Sequence, residues 1–298
     1  LSDMPIFPPG SFPGAPSSKK GCPETPPWHS ANRRRTPLQT ILPVFLLTLA
    51  ILMISCSRTT SKPDPEHQIA AKSSQVSKGK VVLLHGIFDT RIGMHPLRKA
   101  IVANGYECLV PSLKPVDGRK GLEPMARQLR DLIEAEWGEN AEFSIVAFSM
   151  GGLISRYYLQ ELDGARHCQG LYTIATPHNG TYMAYLYPGR GARQMRPESP
   201  FLENLQKSGH IYEDFEVPTT SYRSPLDVVM LPLKSPRWPQ GDNVHFWSPI
   251  HPALLWEKRL HADLLKRLDA ARTRRESLLS PAACSSPPTQ LRAMEDCP

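Results

Sequence analysis

The chain has 298 residues, 40% of them apolar, enough to bury one sizeable core. Its six cysteines are scattered, with no C-x-x-C pair and no histidine at zinc spacing, which argues against a metal site. The formal net charge is +7, but Lys19, Lys20, Arg33, Arg34, Arg35 and Arg272, Arg274, Arg275 lie towards the two ends without interleaved aromatics, which argues against a nucleic-acid partner.

Residues 1–32 are rich in Pro, Ser and Gly and longer than an ordinary leader's basic segment, so an upstream over-extension of the reading frame is expected. The apolar run 38–54 follows three arginines and precedes Ser55-Cys56-Ser57-Arg58, the layout of an export signal. Met53-Ile54-Ser55-Cys56 resembles a bacterial lipobox, in which Cys56 would be lipidated and become the mature N-terminus. An uncleaved anchor also fits, since about 17 apolar residues can just span a bilayer. A cleaved secretory signal is the third reading. Each exports the chain to the bacterial envelope or beyond, and the first two predict membrane association through the N-terminus. Residues 57–78 are polar and read as a tether.

Residues 80–86, KVVLLHG, are predicted as a strand buried on both faces and closed by Gly86. Met94, Leu97, Ile101 and Val102 predict a helix, and 106–110 the next strand, so a parallel sheet begins here. Across 121–138, Leu122, Met125, Leu129, Leu132, Ile133 and Trp137 recur at three and four residues, an amphipathic helix. The run 143–148 is another buried strand. It ends in Ser149-Met150-Gly151-Gly152, after which 153–162 is helical in character. Ser149 therefore falls at a sharp strand-to-helix turn, flanked two residues away by Ala147 and Gly151, the small residues such a turn needs. A bare match to this string is a weak signal; its strand-turn-helix setting makes it specific. A simple N-cap role for Ser149 is the competing reading.

In Ala147-Phe148-Ser149-Met150-Gly151 the chain resembles the small bacterial lipase and esterase family of α/β hydrolases that carry A-x-S-x-G. The segments around His85, Thr176-Pro177-His178-Asn179-Gly180-Thr181 and Asp227 add to the likeness, which spans about 80–268. The resemblance implies an α/β fold, a mainly parallel sheet flanked by helices, with Ser149 as nucleophile. It also implies an oxyanion hole from the backbone N–H groups of Ile87 and Met150, supported by His85 and Gly86, and no cofactor.

In this fold the acid and base follow the nucleophile in the order Ser, Asp, His. The run 217–223 reads as a late strand, and Asp227 stands in the loop after it as the acid; Asp214 and Asp242 read as turn residues. A final strand is predicted at 244–247, and His251 follows as the base. His245, on the strand, and His261, on the helix carrying Leu260, Leu264 and Leu268, read as structural, and His178 as support for the rim. The expected chemistry is acyl transfer through an acyl-enzyme, with activity falling below roughly pH 6.5 as the base is protonated. An ester or lipid is the expected substrate. Phospholipase, lipid acyltransferase and, less favoured, amidase chemistry use the same triad, and a non-catalytic binding module stays open. Residues 182–215, with five Pro and Gly among 188–200, leave room only for a small or absent lid, mostly irregular, with one apolar helical turn expected at Phe201, Leu202 and Leu205. The catalytic domain is placed at 79–269 and a disordered, solvated tail at 270–298. Cys108 is expected to be buried and Cys168 to sit in a polar loop.

Overall fold

The computed structural model describes residues 77–88 and 91–279, all within the compact unit Pro65–Pro298. The expected export signal, Cys56, most of the tether, and Cys284 and Cys297 lie outside the described residues.

Six strands form one sheet: β1 (Lys80–Leu84), β2 (Glu107–Leu109), β3 (Phe143–Phe148), β4 (Cys168–Ile174), β5 (Thr219–Arg223) and β6 (Asp242–His245). Their order is β2-β1-β3-β4-β5-β6 and every pairing is parallel. Among the described residues there are seven α-helices: α1 (His95–Ala103), α2 (Leu122–Trp137), α3 (Met150–Glu161), α4 (Arg190–Gln194), α5 (Pro200–Lys207), α6 (Ile211–Asp214) and α7 (Lys258–Leu279).

A parallel sheet must be covered on both faces, and the period of two in the strands assigns each side chain to one cover. Val82, Leu84, Ile145 and Ala147 pack with α2, α3 and α5, whereas Val81, Leu83, Val146 and Phe148 pack with α1 and α7. On α2, Leu122, Met125, Leu129 and Ile133 are buried at helical spacing, each worth about 1.5–3 kcal/mol. On α7, Leu260, Leu264 and Leu268 do the same for the opposite face.

The chain reverses its direction of winding at β1, whose neighbours are β2 on one side and β3 on the other. Ligand sites of open α/β sheets sit at the carboxyl ends of strands at such a reversal. Here Leu84 pairs with Ala147, so the segment after β1 and the turn after β3 emerge side by side.

Several expectations need correction. Cys168 is not in a loop but opens β4, buried, where desolvation pushes its thiol up to about 12. Cys108 is only half-buried, because β2 is the sheet's edge strand. Asp242 opens β6 instead of capping a turn, and pairs with Arg267 at 2.6 Å. The last strand thus begins two residues before 244, where Asn243 is held by hydrogen bonds with Trp238, and it ends at His245 instead of 247. Residues 182–215 are more helical than their Pro and Gly suggested: Ser199 caps α5 through the Leu202 N–H, and Phe201, Leu202 and Leu205 are buried beneath it. Helix α7 runs past position 269 to Leu279. Arg272, Arg274 and Arg275 are not a free tail; they pair with Glu276, Glu216 and Glu142.

Candidate active site

Ser149 adopts φ 52°, ψ −121°, a left-handed conformation that costs a non-glycine residue about 1–3 kcal/mol. Three fixed contacts hold it there. Its N–H donates to the Ile174 carbonyl at 2.8 Å, and its carbonyl accepts from the Thr176 hydroxyl at 3.0 Å. Gly86 closes the third side, since a Cβ there would lie 3.2 Å from the Ser149 Cβ and 3.0 Å from the Phe148 ring. Ser149 precedes α3, but its side chain makes no capping bond to the helix. The hydroxyl is therefore not committed to a structural role at the helix start.

The helix itself lies unusually close to the sheet. A Cβ on Gly151 would meet the His85 carbonyl oxygen at 2.6 Å, and one on Gly152 the Thr176 hydroxyl at 2.1 Å. This approach brings the Met150 N–H, which heads α3 without an intrahelical acceptor, beside the segment carrying Ile87. That segment is rigid: the Leu113 N–H donates to His85 Nε2 at 3.2 Å, so Nδ1–H donates to the Gly86 carbonyl at 2.8 Å. Phe88 N–H is taken by Val116, while the Ile87 N–H has no partner among the described residues. Two free N–H groups near a strained hydroxyl are the donors an oxyanion requires.

Asp227 and His251 come together as expected. Asp227 is 1% exposed; its Oδ2 accepts from His251 Nδ1 at 2.6 Å and its Oδ1 from the Val229 N–H at 3.0 Å. With Nδ1–H committed to the carboxylate, the lone pair of the neutral ring is on Nε2. The ring packs on Phe148, the residue before Ser149, at 4.7 Å between centroids. His245 is exposed on β6, and His261 is bonded to the Leu255 carbonyl at 2.9 Å, so neither competes as base.

Two features that tie these loops together escaped the sequence reading. The Ser224 hydroxyl donates to the Ser248 carbonyl at 2.6 Å and accepts from the Ser248 N–H at 3.1 Å. It latches the loop bearing Asp227 to the loop bearing His251. Further along, Thr181 donates to the Val229 carbonyl at 2.7 Å, and the N–H groups of Tyr182 and Asn179 reach the carbonyls of Leu231 and Ser235. The segment after β4 thus zips onto the acid loop.

Behind the nucleophile helix lies a buried polar chain. Arg156, 1% exposed and without a carboxylate partner among the described residues, donates to Leu205 O at 2.7 Å, Gln160 Oε1 at 3.0 Å and His178 Nδ1 at 3.4 Å. Leu205 is in the last turn of α5, whose negative end offsets the charge. His178 then donates through Nε2 to Thr173 Oγ1 at 2.9 Å and stacks on Trp238 at 4.5 Å. Desolvation, reinforced by the Arg156 charge, holds His178 well below its ordinary value of 6.5.

A histidine kept neutral by folding costs stability once the unfolded chain can bind the proton. Because the folded value is depressed, stability is full above about pH 6.5 and declines as pH falls below it. We expect thermal unfolding of His178→Gln to lose at least about 1 kcal/mol less than the native chain between neutral pH and pH 5. Parallel pH dependence in the two proteins would contradict this assignment.

A protein-family model described as palmitoyl protein thioesterase matches residues 80–221, from β1 into β5, including Ser149 but ending before Asp227 and His251. The lysosomal thioesterase PPT2 of Bos taurus is 26% identical over 153 residues, 48% of this chain and 47% of that protein. The chain thus spans about half the length of this curated relative. Among solved structures, the mature lipase BlEst2 of Bacillus licheniformis superposes with a TM-score of 0.52 at 15% identity, covering 71% of this chain and 96% of that one. Lipase B of Aspergillus fumigatus gives 0.53 at 14% identity, covering 72% and 66%. The monoacylglycerol lipase of Paleococcus ferrophilus gives 0.50 at 13%, covering 65% and 95%.

Proposed function

Because this chain has the α/β-hydrolase fold, we propose that it is a serine hydrolase that cleaves carboxylic esters through an acyl-enzyme. The observation that carries the reading is the buried Asp227 bonded at 2.6 Å to the His251 ring, which rests against the residue preceding the strained Ser149.

In this mechanism His251 Nε2 takes the proton of Ser149 Oγ as that oxygen attacks the substrate carbonyl. Asp227 holds the Nδ1–H tautomer and offsets the imidazolium charge. The Ile87 and Met150 N–H groups receive the oxyanion, and collapse of the tetrahedral species returns the proton to the leaving group. Water activated by His251 then releases the acid. The export layout of residues 33–57 delivers the enzyme to the bacterial envelope, held there by a lipidated Cys56 or by the run 38–54 itself.

Acyl thioesters are a second substrate class, favoured by the family-model match over 80–221. A thiolate is the easier leaving group, so the same triad serves both. Initial rates on matched oxygen esters and thioesters of short and long acyl chains test the reading. We expect turnover of both series, and the ratio between them identifies the preferred class. Absence of hydrolysis in both series, with the protein folded, would leave the non-catalytic reading standing.

A further inference from the structure

Apart from Val102 on α1 and Leu132 on α2, every large apolar side chain exposed among the described residues lies on segments following β1, β4, β5 or β6. In a parallel sheet those segments leave the same end, the carboxyl end that carries Ser149, Asp227 and His251. We propose that this face docks on an anionic lipid surface, which supplies the acyl substrate to the hydrolase site described above and so rests on that reading.

The side chains are those suited to a bilayer boundary. Trp247 is 66% exposed, Trp256 68% and Tyr182 56%, joined by Tyr185, Leu186 and Ile250. Indole and phenol rings are apolar bodies with one polar handle, and they concentrate where hydrocarbon meets water. Two tryptophans and two tyrosines left exposed on the loops at one end of the sheet are the side chains expected of an interaction surface.

Charge at the same end of the sheet selects the partner. The carboxylates of Asp117, Glu123 and Glu257 are neutralised by Arg119, Arg190 and Arg259. Glu198 adds an exposed carboxylate on the segment between α4 and α5. Against these, Lys120, Lys234 and Lys258 are exposed and make no ion pair among the described residues. Cations beside aromatic and aliphatic tips match phospholipid phosphates above acyl chains, a pairing that a neutral protein surface would not reward.

The test uses the full chain and vesicles of phosphatidylcholine with or without phosphatidylglycerol. Trp247→Ser/Trp256→Ser should hydrolyse a soluble short-chain ester within about twofold of the parent, since neither residue belongs to the catalytic apparatus. On a long-chain ester embedded in mixed vesicles it should be at least about tenfold slower. Lys120→Gln/Lys234→Gln/Lys258→Gln should lose up to about fivefold per lysine on mixed vesicles and little on pure phosphatidylcholine. Equal vesicle rates for the tryptophan variant and its parent overturn the proposal. Docking is followed separately in a Ser149→Ala background, which leaves the lipid intact, by quenching of tryptophan emission with brominated phospholipid. Quenching that falls in Trp247→Phe/Trp256→Phe supports docking even if no ester is turned over, in which case the hydrolase reading alone falls. Quenching that is the same in both proteins overturns the docking.

Discussion

Asp227→Asn is expected to lower kcat by about ten-thousand-fold while leaving the protein folded. The substitution keeps the shape of the side chain, and the remaining carbonyl oxygen can still accept from the Val229 N–H. What changes is the partner of His251 Nδ1, now 2.6 Å from a carboxylate oxygen. An amide NH2 in that position stabilises the tautomer with its proton on Nε2, the wrong nitrogen to accept from Ser149. Loss of the carboxylate also leaves the imidazolium of the transition state without its counter-charge. Steady-state kinetics on a soluble ester, with thermal melts run alongside, check the point. A loss below about tenfold, with the melting temperature preserved, would remove Asp227 from the mechanism.

Gly152→Ala is expected to be strongly disruptive for a single added methyl. Its Cβ would lie 2.1 Å from Thr176 Oγ1 and 2.6 Å from Thr176 Cγ2, and Thr176 is fully buried. Forcing it aside costs about 1–3 kcal/mol of overpacking, and the lost hydrogen bond to the Ser149 carbonyl adds about 1 kcal/mol. For a domain near 200 residues that is a fall in Tm of roughly 5–15 °C. Activity should fall as well, because Thr176 is one of the three contacts that hold the Ser149 backbone. Adding Thr176→Ala should restore part of the stability by vacating the space, without restoring the hydrogen bond. If the two substitutions were simply additive in the melt, the close approach of helix and β4 would not be the cause.

The fold was legible because its signals are local and strong. VVLL and SIVAF are short aliphatic runs rich in Val and Ile that read as strands buried on two faces, and Leu122, Met125, Leu129 and Ile133 keep the 3.6-residue period. Ser149 was legible for a related reason, since the small residues around it record how closely the helix approaches β1 and β4. The later elements were harder to read. Residue pairs such as Asn243 with Trp238, which fix where β6 begins, are tertiary and leave no period in the sequence. The helical turn at Phe201, Leu202 and Leu205 was legible, but the extent of helix in 182–215 was not, because Pro and Gly there open and close short helices instead of breaking them. Arginines 274 and 275 looked solvated because their partners on the body, Glu216 and Glu142, are remote in sequence. One signal passed unused: Ser224-Pro225-Leu226-Asp227 and Ser248-Pro249-Ile250-His251 share a pattern, and the two serines are the latch between the acid and base loops.

The mechanism requires Ser149 to be the hydroxyl that His251 activates, and an active-site-directed fluorophosphonate measures that directly. Incubation of the full chain followed by peptide mass analysis should place one phosphonyl adduct on the peptide containing Ser149. The adduct should be absent from Ser149→Ala and should form far more slowly on Asp227→Asn. A chain that labels equally well after Ser149→Ala, or that carries the adduct on another residue, would contradict the mechanism at its first step.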